Sequence, residues 1–205
     1  MKLVLIGSLE VLVLGSLALA QAPPPPSSPA DAYRVERPFA AGGHVRLQLA
    51  SGDYVLRAGD SDRIVVRWEA DDEARIKDVK ELLVDVQVTG STARIVTEGK
   101  ARHVTFVVEL PARSDVHLRM RAGEIRVQGI DGHKDVRMTA GELKIGVRRE
   151  SLGSAHASVT FGDLDARALG ISKSGIKRSL DWIGGGRYEL DARLGAGDLT
   201  LAETP

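Results

Sequence analysis

Five carboxylates occupy one kind of place in this sequence. Asp53, Glu124, Glu142, Asp163 and Asp198 each follow a glycine and precede an apolar residue, in the frames Ser51-Gly52-Asp53-Tyr54, Ala122-Gly123-Glu124-Ile125, Ala140-Gly141-Glu142-Leu143, Phe161-Gly162-Asp163-Leu164 and Ala196-Gly197-Asp198-Leu199. Carboxylates that meet in space can do two kinds of chemistry. A pair flanking a sugar linkage can act as general acid and as base or nucleophile, and a cage of them can hold calcium. The calcium-binding repeat pattern needs glycine pairs and an Asp in every nine residues, whereas each copy here has one acid, which in two of them is Glu. Stacked in register, Asp53, Glu124, Glu142 and Asp163 would form a row of like charges that repel one another. A repeated solvent-facing corner explains such acids without a substrate, so no catalytic residue is expected and the chain is read as not an enzyme.

The other chemistry-bearing residues give no stronger signal. His44, His103, His117, His133 and His156 contain no H-x-H or H-x-x-x-H pair, the spacing that sets two imidazoles on one face. No metal ligand and no cofactor is expected. His103 and His117 alternate with Val104, Phe106, Val116 and Leu118, which points them outward. There is no Gly-x-Ser-x-Gly elbow; Gly153-Ser154 and Ser172-Lys173-Ser174-Gly175 read as turns. Cysteine is absent, which removes thiolate zinc sites, Cys nucleophiles and a lipid-modified cysteine.

The elements that position these residues are strands. In Val45, Leu47, Leu49 and in Val104, Phe106, Val108, Leu110 apolar side chains recur at every second position, the period of a strand with one buried face. The exception is Asp71 to Leu83, where Ile76, Val79, Lys80 and Leu83 fall three and four apart behind an acidic first turn. That spacing predicts one short helix, with Trp68 packed beneath it.

The glycines set the architecture. The step from Gly123 to Gly141 is nearly matched by the step from Gly141 to Gly162, and the step from Gly162 to Gly197 is close to two such units with a degenerate copy between. A unit of roughly 18 to 21 residues is the scale of a solenoid coil. The expectation is an all-β, parallel, β-helix-like solenoid of such coils with one short helix near its N-terminal part, and an irregular coil over residues 167–186. Glycine is required where the chain turns each corner. Asp198 to Leu201 then reads as the last strand, lying at an open edge. Glu203 and Pro205 are expected to blunt that edge, giving a monomer with edge-to-edge self-association as the alternative.

Composition narrows the class. Lys plus Arg and Asp plus Glu are both 28, so the basic footprint of a nucleic-acid partner is missing. Aromatics are 4%, so the core is aliphatic and only Trp182 and Tyr188 are candidates for stacking on a sugar. The N-terminal segment carries Lys2, an apolar run and Ala18-Leu19-Ala20, the pattern of a secretory signal peptide. Glu10 interrupts the run, and an uncleaved membrane anchor is the alternative. The domain reading is therefore residues 1–20 signal peptide, 21–32 a Pro/Ser-rich linker around Pro23 to Pro26, and 33–205 one β-solenoid domain. The location expected is exported, in the periplasm or at the cell surface.

Taken together, SGDYVLRAGDSDRIVVRW, the V-x-V-E-L-P strand ending at Pro111, the AGEIRV and AGELKI units and GGGRYELDARLGAGDLTL resemble the DUF4097 family, adhesin-like β-strand-repeat domains of bacterial envelope proteins. The resemblance spans about Phe39 to Leu201. It implies a stack of short strands and supplies no catalytic residue. The expected role is a noncatalytic exported envelope scaffold or adhesin-like interaction module, with an envelope protein or glycan as its unidentified partner. A carbohydrate-active β-helix enzyme or glycan-binding protein, and a self-assembling structural envelope protein, are the alternatives.

Overall fold

The computed structural model describes residues 33–71, 79–99, 103–173 and 176–204. The signal peptide and linker expected over residues 1–32 lie outside them. The strands are β1 (Arg34–Pro38), β2 (His44–Leu49), β3 (Gly52–Gly59), β4 (Arg63–Ala70), β5 (Leu83–Thr89), β6 (Thr92–Glu98) and β7 (Val104–Pro111), followed by β8 (Asp115–Gln128), β9 (Lys134–Val147), β10 (Leu152–Phe161), β11 (Leu164–Ala166), β12 (Ile171–Lys173), β13 (Ile176–Ile183) and β14 (Tyr188–Glu203). All of them join one hydrogen-bonded sheet.

The longest strands bend once, at their glycine. In β8 the buried positions are Val116, Leu118 and Met120 before it, then Ile125 and Val127 after it; in β9 they are Val136 and Met138, then Leu143, Ile145 and Val147. The inward parity changes from even to odd at the corner. Side chains alternate across a strand, so an unbroken strand would send its second half outward. Gly123 and Gly141, at φ 133° and 123°, reset the alternation in a region closed to other residues. A Cβ at Gly141 would overlap the carbonyl oxygen of Gly123, and one at Gly123 that of Gly52.

Bending at this seam folds the sheet into two layers around one aliphatic core. The first layer runs β5, β6, β2, then the first halves of β8, β9 and β14, then β10 and β13. The second runs β1, β4, β7, β3, then the second halves of β8, β9 and β14, then β11 and β12. Like residues stack across strands, as in Met120, Met138, Leu194 and in Ile125, Leu143, Leu199. Each fully buried side chain of this kind contributes about 1.5–3 kcal/mol. Across the core, the Tyr54 hydroxyl of β3 lies 2.8 Å from Thr97 Oγ1 of β6, which also accepts the Ala50 N–H. The few aromatics gather at one flank: Tyr54 stacks on Phe106 at 4.5 Å, and Trp68 lies over Phe106 at 6.5 Å.

The parallel-solenoid expectation is overturned. The sheet is mixed: β4 runs antiparallel to β1 and β7, β5 to β6, β13 to β10, and β12 to β11. Nor do the units stack in sequence order. β14 pairs with β9 on one side and with β10 and β11 on the other. The stretch between Gly162 and Gly197 is not a degenerate coil: the chain goes out along β10 and β11, turns at Gly170 (φ 80°), returns along β12 and β13, and goes out again as β14. The irregular coil expected over residues 167–186 is that return. β14 is consequently interior, so the expectation that Asp198 to Leu201 forms an open edge also fails. Among the described strands the edges are β5 and β13 in the first layer and β1 and β12 in the second.

Of the helix expected over Asp71 to Leu83, residues 72–78 lie outside the described residues. Val79 and Lys80 are helical and Val79 is buried, but Leu83 already opens β5. Trp68 packs against Phe106 and Tyr33.

Candidate functional site: the open face of the first layer

The row of acids does form. Glu124 aligns with Glu142, and Glu142 with Asp198; Asp53 flanks Glu124, and Asp163 lies beside Asp198, where the Leu199 N–H donates to the Asp163 carbonyl. The row runs along the seam on the outer side of the second layer. Part of its repulsion is cancelled two residues further on, where Arg126 pairs with Glu124 and Lys144 reaches Glu142 at 2.6 Å and Glu124 at 3.9 Å. The Lys144 hydrogen bond, against a small opposing effect of burial, holds the Glu142 carboxyl below its ordinary value. A general acid needs the opposite shift.

The other layer holds a second polar surface. On its outer side two adjoining grooves of ≈ 1080 and ≈ 1030 Å³ are floored by β2, β8, β9, β14 and β10, with β6 beside the first and β13 beside the second. Strand alternation fixes which side chains stand in them. One cross-strand row reads Arg46, His117, Asp135, Asp191, His156, Asp181; the next reads Gln48, Arg119, Arg137, Arg193, Ser158. Beyond these, Arg121 and Thr139 of neighbouring strands and Thr160 of β10 line the first groove.

His44, His117, His133 and His156, four of the five histidines, line the second groove. His44 Nδ1 lies 3.1 Å from Asp115, His117 Nδ1 3.0 Å from Asp135, and His156 Nδ1 2.7 Å from Asp181. His133 Nδ1 accepts the Glu189 N–H at 3.2 Å and meets the Tyr188 ring edge-on. His117 points outward as its alternation requires; His103 is exposed at a turn with φ 62°. Among the described residues no three His, Asp or Glu side chains converge as a metal site.

Asp135 is the hub. Arg119 grips it with both nitrogens, at 3.1 and 2.7 Å, His117 lies at 3.0 Å, and Arg137 Nε at 3.4 Å. Burial works against the charged carboxylate, but Arg119, with help from Arg137 and His117, more than offsets it and holds the group below the usual carboxylate range. Arg193 is held in the same two-pronged way by Asp191 of its own strand, at 2.9 and 2.7 Å. Arg121 makes no ion pair among the described residues. Of the two aromatics expected to be free for stacking, Trp182 borders the second groove but packs against the core with Arg149 over its ring, while Tyr188 lies against His133 and Arg187.

The sequence did carry a signal for this face. Asp135 follows His117, and Arg137 follows Arg119, at the same interval that separates Gly123 from Gly141; Arg193 follows Arg137 at the interval that separates Gly141 from Gly197.

No protein-family model matches the chain, and no curated relative matches it by sequence. Solved structures resemble it distantly. A candidate cell adhesion protein from Clostridium sporogenes ATCC 15579 is 9% identical with a TM-score of 0.49 over 83% of this chain and 98% of that one. A candidate adhesin from Parabacteroides merdae ATCC 43184 is 7% identical with a TM-score of 0.22, covering 65% and 66%. A candidate lipid binding protein from Parabacteroides distasonis ATCC 8503 is 10% identical with a TM-score of 0.24, covering 84% and 96%. These likenesses transfer no role to this chain, and membership of DUF4097 remains an expectation drawn from its motifs.

Proposed function

We propose that this chain is a noncatalytic, exported interaction module that holds its partner on the open face of the first layer. One observation carries the reading: two adjoining grooves are lined by polar side chains that neighbouring strands hold in register, and most of the charges are already paired. Rigid, pre-paired side chains bind without a large ordering cost. The acid row on the second layer is a largely exposed, partly neutralised set of corners, which favours binding over hydrolysis. Export follows from the signal-peptide pattern ending at Ala20.

The test uses the full chain and purified cell-wall material in a co-sedimentation assay. Ser158→Trp and Thr139→Trp fill the first groove of the first layer without changing charge, and Thr200→Trp places the same bulk on the second layer. Loss of sedimentation in the first two variants alone supports the reading. Equal retention by all three, or release of new sugar ends from the cell wall by the wild type, refutes it.

A further inference from the structure

We infer that the first groove is a binding site for an acidic polysaccharide, a sugar chain carrying carboxylates, gripped along the row Arg119, Arg137, Arg193 with Arg121 beside it. The inference rests on the open face being the binding surface and names the chemical class that it takes.

The charge pattern is the first reason. Three arginines stand on three adjacent strands in register, on backbones about 4.8 Å apart. Each could be neutralised by its own carboxylate, but of the three in the neighbouring row Asp181 is engaged by His156, which leaves two. Asp191 is spent on Arg193, and Asp135 already serves Arg119 through two hydrogen bonds and His117 through a third contact, leaving Arg137 its longest partner at 3.4 Å. Arg121, exposed at the next position along β8, has no ion pair among the described residues. Among the described residues Glu98 is the one acid lining this groove, against four arginines. The cationic excess thus falls on Arg137 and Arg121, in a groove open to solvent, with fork-shaped donors suited to carboxylates.

The neutral lining is the second reason. Gln48, Ser51, Thr139, Ser158 and Thr160 stand around the arginines, and among the described residues no aromatic ring lines the groove. Hydroxyl and amide groups match the hydroxyls of a sugar. A single-stranded nucleic acid would instead call for stacking rings and for a net basic balance, whereas Lys plus Arg equal Asp plus Glu in this chain. The row also crosses the strands, so a linear polymer laid along it meets an arginine on each of three successive strands.

The probes are polygalacturonate, neutral dextran of similar length and a single-stranded DNA oligonucleotide, each titrated against the full chain in low salt. Polygalacturonate is expected to bind, to weaken as salt screens the contacts, and to lose about tenfold in affinity in Arg121→Gln/Arg137→Gln, a loss in line with removing charge-assisted hydrogen bonds. Thr139→Asp, which adds a carboxylate to the groove, should weaken it as well, and Arg126→Gln on the other layer should not. Thermal melts of each variant separate lost binding from lost folding. Dextran or DNA bound as tightly as polygalacturonate, or unchanged affinity in both Arg121→Gln/Arg137→Gln and Thr139→Asp, overturns the inference. If cell-wall binding is blocked by Ser158→Trp while polygalacturonate is not bound, the assignment of ligand falls and the proposed binding face stands.

Discussion

Lys134 opens β9 facing the core, 6% exposed, between Val116 of β8 and Leu190 of β14. Its Nζ donates to the Gly132 carbonyl at 3.2 Å. Burial pushes its pKa down from 10.5 to about 8, against the opposing pull of the Asp115 charge. That lowering corresponds to roughly 3 kcal/mol by which the fold disfavours the ammonium. Between pH 8 and pH 10.5 the unfolded chain holds a proton on this side chain that the folded chain has lost, so stability rises with pH across that window. Below pH 8 both states are charged and the whole penalty is present. Lys134→Met keeps the length and removes the charge, giving up one hydrogen bond worth about 1 kcal/mol. The expected result at pH 7 is a gain of about 2 kcal/mol, read as a midpoint increase in guanidinium unfolding with an unchanged slope. The gain should shrink to nothing, or turn into a small loss, by pH 10.5. Comparison with the wild type at each pH cancels the other titrating groups. A variant less stable than the wild type by the same amount at both pH values would refute the reasoning, because the ammonium would then be fully compensated where it lies.

Three further outcomes follow from the geometry. Gly141→Ala should cost more than about 3 kcal/mol, since it adds backbone strain of about 1–3 kcal/mol to an overlap with the Gly123 carbonyl, whereas Glu142→Gln should stay within about 0.5 kcal/mol; thermal melts compare the two. Asp135→Asn should cost about 1–3 kcal/mol at pH 7; because the folded carboxyl is held low, the difference from wild type should persist down to about pH 4 and vanish as pH falls through the folded value, which an acid-denaturation series measures. Thr97→Val should destabilise by about 2 kcal/mol and more than Tyr54→Phe, because it strands both the Ala50 N–H and the Tyr54 hydroxyl, as urea unfolding of the two variants would show.

Much of the local structure was legible. Alternation placed Val45, Leu47 and Leu49 inward, and the glycine-acid frames do mark corners, all five of them falling on one seam. The order of strands was not legible. Alternation is the same in parallel and antiparallel strands, so nothing in Ile176 to Ile183 announces that it runs backwards, and the long gap from Gly162 to Gly197 fits either a degraded repeat or an out-and-back excursion. The composition of the open face of the first layer was hidden for the same reason. Arg119 and Arg137 share the repeat spacing and were within reach of sequence reasoning, but Arg193 joins them only because β14 lies next to β9. The His156–Asp181 contact likewise depends on the antiparallel return of β13.

The interior position of β14 also sets a condition on how the molecule can be assembled. A stack that grows in sequence order can fold as it emerges, each unit docking on the one before. Here β9 and β10 are neighbours in sequence yet cannot be joined through the sheet until the last described strand slides between them, so the hairpin of β10 to β13 must wait undocked. Contacts that distant in sequence form slowly, and two unpaired strand edges are exposed for as long as the wait lasts. The interval before β14 arrives is therefore when the chain is most open to wrong pairing, and a holdase that covers strand edges would raise the yield of native protein more than one that shields apolar patches.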